Sequence, residues 1–128
     1  MIKSKYISDI LDLLLDGDNE GFAVRPQLGF LTDTKYDYTG SGLFVKFSHS
    51  DGIDKHKYLQ DDLVLIGVKI TTSEYPIEAD GTVFIKNGFI DQLEIWCYSG
   101  DYPQKDLIKY TLTQAWNNSP GKQITTEL

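Results

Sequence analysis

Cysteine is almost missing from this chain: Cys97 is the only one in 128 residues. No internal disulfide and no cysteine-built zinc cage can form within one chain, and a reducing compartment suits such usage. Positive charge is scarce as well. Twelve Lys and Arg stand against nineteen Asp and Glu, a net charge of −7 with a pI near 4.6. That balance argues against the clustered basic surface a phosphate-backbone binder requires, so no nucleic-acid partner is expected. Long apolar runs are absent, and nothing approaches the roughly 20 residues of a membrane span. The N-terminal stretch MIKSKYISDILDLLLDGD has no small-residue cleavage site, and Asp9, Asp12 and Asp16 interrupt its apolar run. The expectation is a soluble, cytoplasmic protein without membrane contact. Neither a Gly-rich phosphate loop, a G-x-S-x-G elbow nor a dinucleotide fingerprint is present, so no enzyme activity, catalytic residue or cofactor is expected.

What remains is an ordinary globular balance, 41% hydrophobic and 24% charged, at a length that suits one domain over residues 1–128. Ile7, Ile10, Leu11 and Leu14 recur at helical spacing opposite Asp9, Asp12 and Asp16. This predicts an amphipathic helix with Ser4 as its N-cap, ending after Asp16 at Gly17. The segment from Gly21 to Gly42 has no clear period, with short strands possible at Phe22–Val24 and Gly29–Thr32. Leu43, Val45 and Phe47 alternate with Phe44, Lys46 and Ser48, a half-buried strand. In Leu63–Thr72 the side chains of Val64, Ile66, Val68 and Ile70 are expected on one face of another strand. Pro103 suits the first turn of a short helix ending near Tyr110, Thr111–Trp116 favours extended structure, and residues 117–128 read as a loose tail. The resulting fold class is α+β: an N-terminal helix packed on a mainly antiparallel sheet, with a short C-terminal helix.

The segment ADGTVFIKNGFIDQLEIWCYSGDY, residues 79–102, reads as a β-hairpin around Asn87-Gly88. Register decides its chemistry, because a one-residue slip sends every side chain to the opposite face. A two-residue loop pairing Lys86 with Phe89 mixes apolar and polar residues on both faces. A three-residue loop, Lys86-Asn87-Gly88, pairs Ile85 with Phe89 and gathers Val83, Ile85, Leu93, Ile95 and Cys97 into a core face. The other face then carries Phe84, Ile90, Gln92, Glu94, Trp96 and Tyr98, open to solvent or covered by further chain. Aromatic rings beside carboxylates are the mixture an interface uses. We therefore single out Asp91, Glu94, Trp96, Tyr98, Asp101 and Tyr102 as partner-binding residues.

Both histidines lie in Ser48–His56, with Asp51 and Asp54 between them. Their seven-residue separation is not the spacing of a helical zinc pair, and the calcium-loop pattern lacks its later Gly and Glu. A polar turn is the simpler reading, and no metal site is assigned. A competing class keeps His49, Asp51 and Asp54 at the rim of a small-ligand pocket on the open sheet face.

The wording SHSDGID, NGFIDQLEIWCYSGDYP and YTLTQAW resembles small bacterial immunity proteins that partner polymorphic toxins. The resemblance covers roughly the last two-thirds of the chain, and Gly21–Gly42 matches nothing. It implies no catalysis, a fold that varies between groups, and one partner: a cognate toxin, expected to be basic, whose active site or working face is blocked. The chain itself would be a monomer or a weak homodimer.

Overall fold

The computed structural model describes residues 1–127. Two short α-helices, α1 (Lys5–Leu14) and α2 (Asn19–Val24), are followed by a 3-10 turn at Arg25–Phe30. The strands are β1 (Leu31–Tyr38), β2 (Gly42–His49), β3 (Leu63–Thr71), β4 (Glu78–Lys86), β5 (Phe89–Ser99), β6 (Thr111–Gln114) and β7 (Gln123–Thr125). A second 3-10 turn, Ile53–His56, sits between β2 and β3. All seven strands join one antiparallel sheet in the order β1-β2-β5-β4-β3-β6-β7. The core lies on one side of it, between the sheet and α1.

α1 forms where the spacing places it. Ser4 accepts from the Ile7 N–H as N-cap, and Tyr6, Ile7, Ile10, Leu11, Leu13 and Leu14 are buried. The helix stops at Leu14 rather than Asp16, and buried Gln114 supplies its ending. The Gln114 amide donates to the carbonyls of Leu13 and Asp16, tying the helix C-terminus to β6. Asp9 pairs with Lys5 within the helix, while Asp12 pairs with Arg25 and Asp16, just past the helix end, with Lys122.

The expected short C-terminal helix is contradicted. The fold is α+β, but it is mostly sheet, and both α-helices precede β1. Between Pro103 and Tyr110 the backbone donors are taken by distant groups instead of by a helical ladder. Ile108 and Lys109 both donate to the Glu74 carboxylate, and Tyr110 donates to the Thr126 hydroxyl. The segment is a strap over the core, with Leu107 and Tyr110 as its buried pegs. Beyond Asn117, the region expected as a loose tail contains β7, paired to β6 through Leu112 and Ile124.

Two further expectations change for local reasons. Phe22–Val24 is helical, because Asp18 caps α2 by accepting from Gly21 N–H, and Pro26 follows within a 3-10 turn. In β3 the four apolar residues do not share a face. The register shifts between Ile66 and Val68, and Gly67 takes φ +109 there. This bulge sends Val64 and Ile66 outward, 51% and 61% exposed, while Val68 and Ile70 are fully buried.

The hairpin sorts its core residues as expected but by a different route. The turn is a two-residue Asn87-Gly88 loop with φ 54 and 85, pairing Lys86 with Phe89. The face is restored further along by a bulge at Asp91: Ile85 pairs with Ile90, while Phe84 pairs with Gln92. Val83, Ile85, Leu93, Ile95 and Cys97 are accordingly buried, and Ile90 joins them instead of lying on the open face. Fully buried Gln27 fixes this irregularity. Its carbonyl accepts from Ile90 N–H, and its amide donates to the carbonyls of Gly88 and His56.

Candidate interaction face

The helices and the 103–110 strap occupy one side of the sheet, which leaves the outer side of its central strands open. Their registers define three rows. The first crosses Lys46, Gln92, Phe84 and Val64, and the second Phe44, Glu94, Thr82 and Ile66. The third crosses Gly42, Trp96, Asp80 and Lys69. Neighbours in a row sit roughly 5 Å apart at Cβ, so each row is a continuous strip of surface. Trp96 is 54% and Tyr98 47% exposed at its centre and far end. Val64 and Ile66 stand exposed on β3, separated from Trp96 and Tyr98 on β5 by Thr82 and Asp80 of β4, so apolar and acidic side chains alternate across the face.

Of the residues singled out from the sequence, Asp91, Glu94, Trp96 and Tyr98 are brought together along β5 on this face. Asp91 is already neutralised by Lys46, with Nζ 2.8 Å from the carboxylate. Asp101 is exposed in the turn beyond β5. Tyr102 does not belong with them. Its ring is buried, its hydroxyl lies 2.7 Å from that of Tyr6, and burial pushes its pKa far up. Gly100 takes φ 84 just past the end of β5, and Tyr102, three residues beyond Ser99, is buried with its hydroxyl against that of Tyr6 in α1.

Charge of both signs is present along the face. Lys35, Lys46 and Asp37 surround Phe44 at a shallow depression of about 360 Å³. A second, of about 450 Å³, is lined by Lys46, Lys86, Asp62 and Asp91 beside Phe84 and Val64. The opposite end is acidic. Asp80 stands among Glu78, Tyr98 and Lys69, with the Lys69 ammonium 3.6 Å from Glu78. Partial burial raises the Asp80 carboxyl pKa, and Glu78 adds to that rise against the opposing pull of Lys69. Tyr98 is shifted upward as well, by loss of hydration first and by the Asp80 charge second.

The histidine segment contributes no part of this surface. His49 Nε2 lies 2.6 Å from the Ile90 carbonyl, with its ring against Phe89, and His56 packs on Phe30. Neither depression on the face is lined by a histidine, Asp51 or Asp54. Cys97 is buried, its thiol donating toward the Ser99 and Gly100 carbonyls.

Val64, Ile66, Phe44 and Lys69 are the face residues that the sequence reading left out. The signal was available in Gly67: an isolated glycine inside a strand pattern marks a bulge, and a bulge here inverts Val64 and Ile66. No helix among the described residues is long and apolar enough to cross a membrane. No family model, curated protein or solved structure matches the chain.

Proposed function

We propose that this protein is a stoichiometric inhibitor of another protein, of the immunity type, which docks through its open sheet face and has no catalysis of its own. The observation that carries this reading is Trp96 and Tyr98 standing exposed beside Glu94, Asp80 and Glu78 on a rigid central strand. Aromatic anchors at the centre of a patch supply most of an interface's affinity, while peripheral charges speed encounter and select the partner. The carboxylates at the acidic end pair with Lys or Arg around a toxin's cleft, and the rings fill the space from which water is expelled. Access of substrate to that cleft is then blocked by occlusion. Such a protein acts where the toxin would act, in the cytoplasm of the cell it protects.

The test begins with the genes adjacent to this one: any that encodes a toxin-like domain is co-expressed with this chain. Growth is rescued by the native sequence, and Trp96→Ala or Glu94→Lys abolishes rescue while circular dichroism shows the fold retained. Full rescue by both variants would remove the face from the mechanism. Raising ionic strength slows association more than it speeds dissociation, because the charged rim acts on encounter.

A further inference from the structure

We infer that, without its target, this chain pairs with a second copy of itself through the same open face, about a two-fold axis running parallel to the strands between β5 and β4. The argument rests on the registers. β2 lies one strand outside β5, and β3 one strand outside β4. In the second row Phe44 therefore sits as far from that axis on one side as Ile66 does on the other, with Glu94 and Thr82 between them. An isologous contact requires the patch to be complementary to itself under rotation. Here the rotation sets Phe44 over the partner's Ile66, the Lys46 stem over the partner's Val64, and Gln92 over the partner's Phe84. Glu94 meets the partner's Thr82 rather than its own copy. Trp96 meets the partner's Asp80, within reach of the partner's Lys69 for a cation–π contact. No like charges in the three rows are opposed.

Two stacked sheets keep their strands within about 30° of each other, so these correspondences hold best close to the axis, where all four strands lie. Size sets the strength. Four strands about 4.8 Å apart and three rows about 6.8 Å apart give a footprint of roughly 400 Å² per copy. Standard stable interfaces bury about 800 Å² per partner. The dimer is accordingly weak, and a larger target surface displaces it. It shares the open face with the inhibitor reading but depends on no property of a toxin.

Sedimentation velocity of the purified chain from about 10 µM to 1 mM tests this, a range that brackets weak association. The weight-average mass is expected to climb from monomer toward dimer, and Ile66→Lys to hold it at monomer. Gln104→Lys, an exposed change on the strap at the other side of the sheet, leaves the curve unaltered. Orientation is read by oxidising mixed variants. Phe44→Cys chains crosslink to Ile66→Cys chains at least tenfold more than to themselves, while buried Cys97 stays out of the reaction. A chain that remains monomeric throughout, or Phe44→Cys that crosslinks chiefly to itself, overturns the inference. Monomer behaviour with growth rescue intact leaves the inhibitor reading standing; dimerisation with rescue indifferent to Trp96 and Glu94 does the reverse.

Discussion

The two faces of this sheet are made from the same strands, yet they obey different rules. On the covered face Leu93 lies between Val45 and Val83, all three without solvent exposure. On the open face the next residue in β5, Glu94, lies between Phe44 and Thr82 with nothing above it. The covered side is defined by volume, so a lost methylene is felt there. The open side is defined by chemistry, and most of its side chains can change without disturbing the fold. Side-chain chemistry is therefore free to vary on one face while stability is held by the other.

Substitutions should separate the two faces by the size of their effects. The largest is Leu93→Ala, which leaves a cavity at the centre of the core and is expected to cost about 3 kcal/mol by chemical denaturation. A loss below about 1 kcal/mol would mean that the core is looser than its burial implies. Gln27→Leu comes next. It keeps the volume but strands the Ile90 N–H and the His56 carbonyl and leaves the Gly88 carbonyl with the Tyr58 N–H alone, with an expected cost of about 2 kcal/mol and local loss of amide protection at Ile90. Protection unchanged at Ile90 would show that the bulge stands without the amide.

Acid titration probes the seam where α1 joins the sheet. Burial raises the Asp33 pKa, but N–H groups of Lys3 and Ser4 and the Tyr36 hydroxyl outweigh it, so the folded carboxyl lies below its ordinary value. Its contribution is complete above the unfolded carboxylate pKa and is lost as pH falls through the lower, folded one. Asp33→Asn should flatten the acid limb of the stability curve, measured by urea midpoints between about pH 5 and pH 2. An equally steep limb in the variant would assign it to other carboxylates. The smallest effect belongs to the open face: Ile66→Lys should shift the midpoint by less than about 0.5 kcal/mol. A shift as large as that of Leu93→Ala would mean that this side is not open in solution.

Much of this arrangement was legible in the sequence because the β period is two. The hairpin illustrates how far that goes. Parity alone put Val83, Leu93, Ile95 and Cys97 inward, and it survived an incorrect turn because the actual bulge at Asp91 restores the same parity. It could not place Ile90, since the side of the bulge depends on Gln27, 63 residues away. The same limit applies to Tyr102, whose aromatic ring suggested an anchor but whose hydroxyl partner belongs to α1. The C-terminal helix was misread because Glu74 and Thr126, remote in sequence, satisfy the donors that local propensity assigns to a helix. Trp96, Tyr98 and Glu94 face outward as parity predicts, since nothing distant reaches across to cover them.

The seat of α1 lies against β3, β4, β6 and β7, so the first helix leans on some of the last strands to be made. During synthesis that helix waits, its leucines unshielded, until the ribosome has released residues beyond Gln114. Contacts so far apart in sequence make the closing of that seat a non-local step, which slows folding. A stop codon before β6 would leave the apolar face of α1 without part of its seat and favour aggregation.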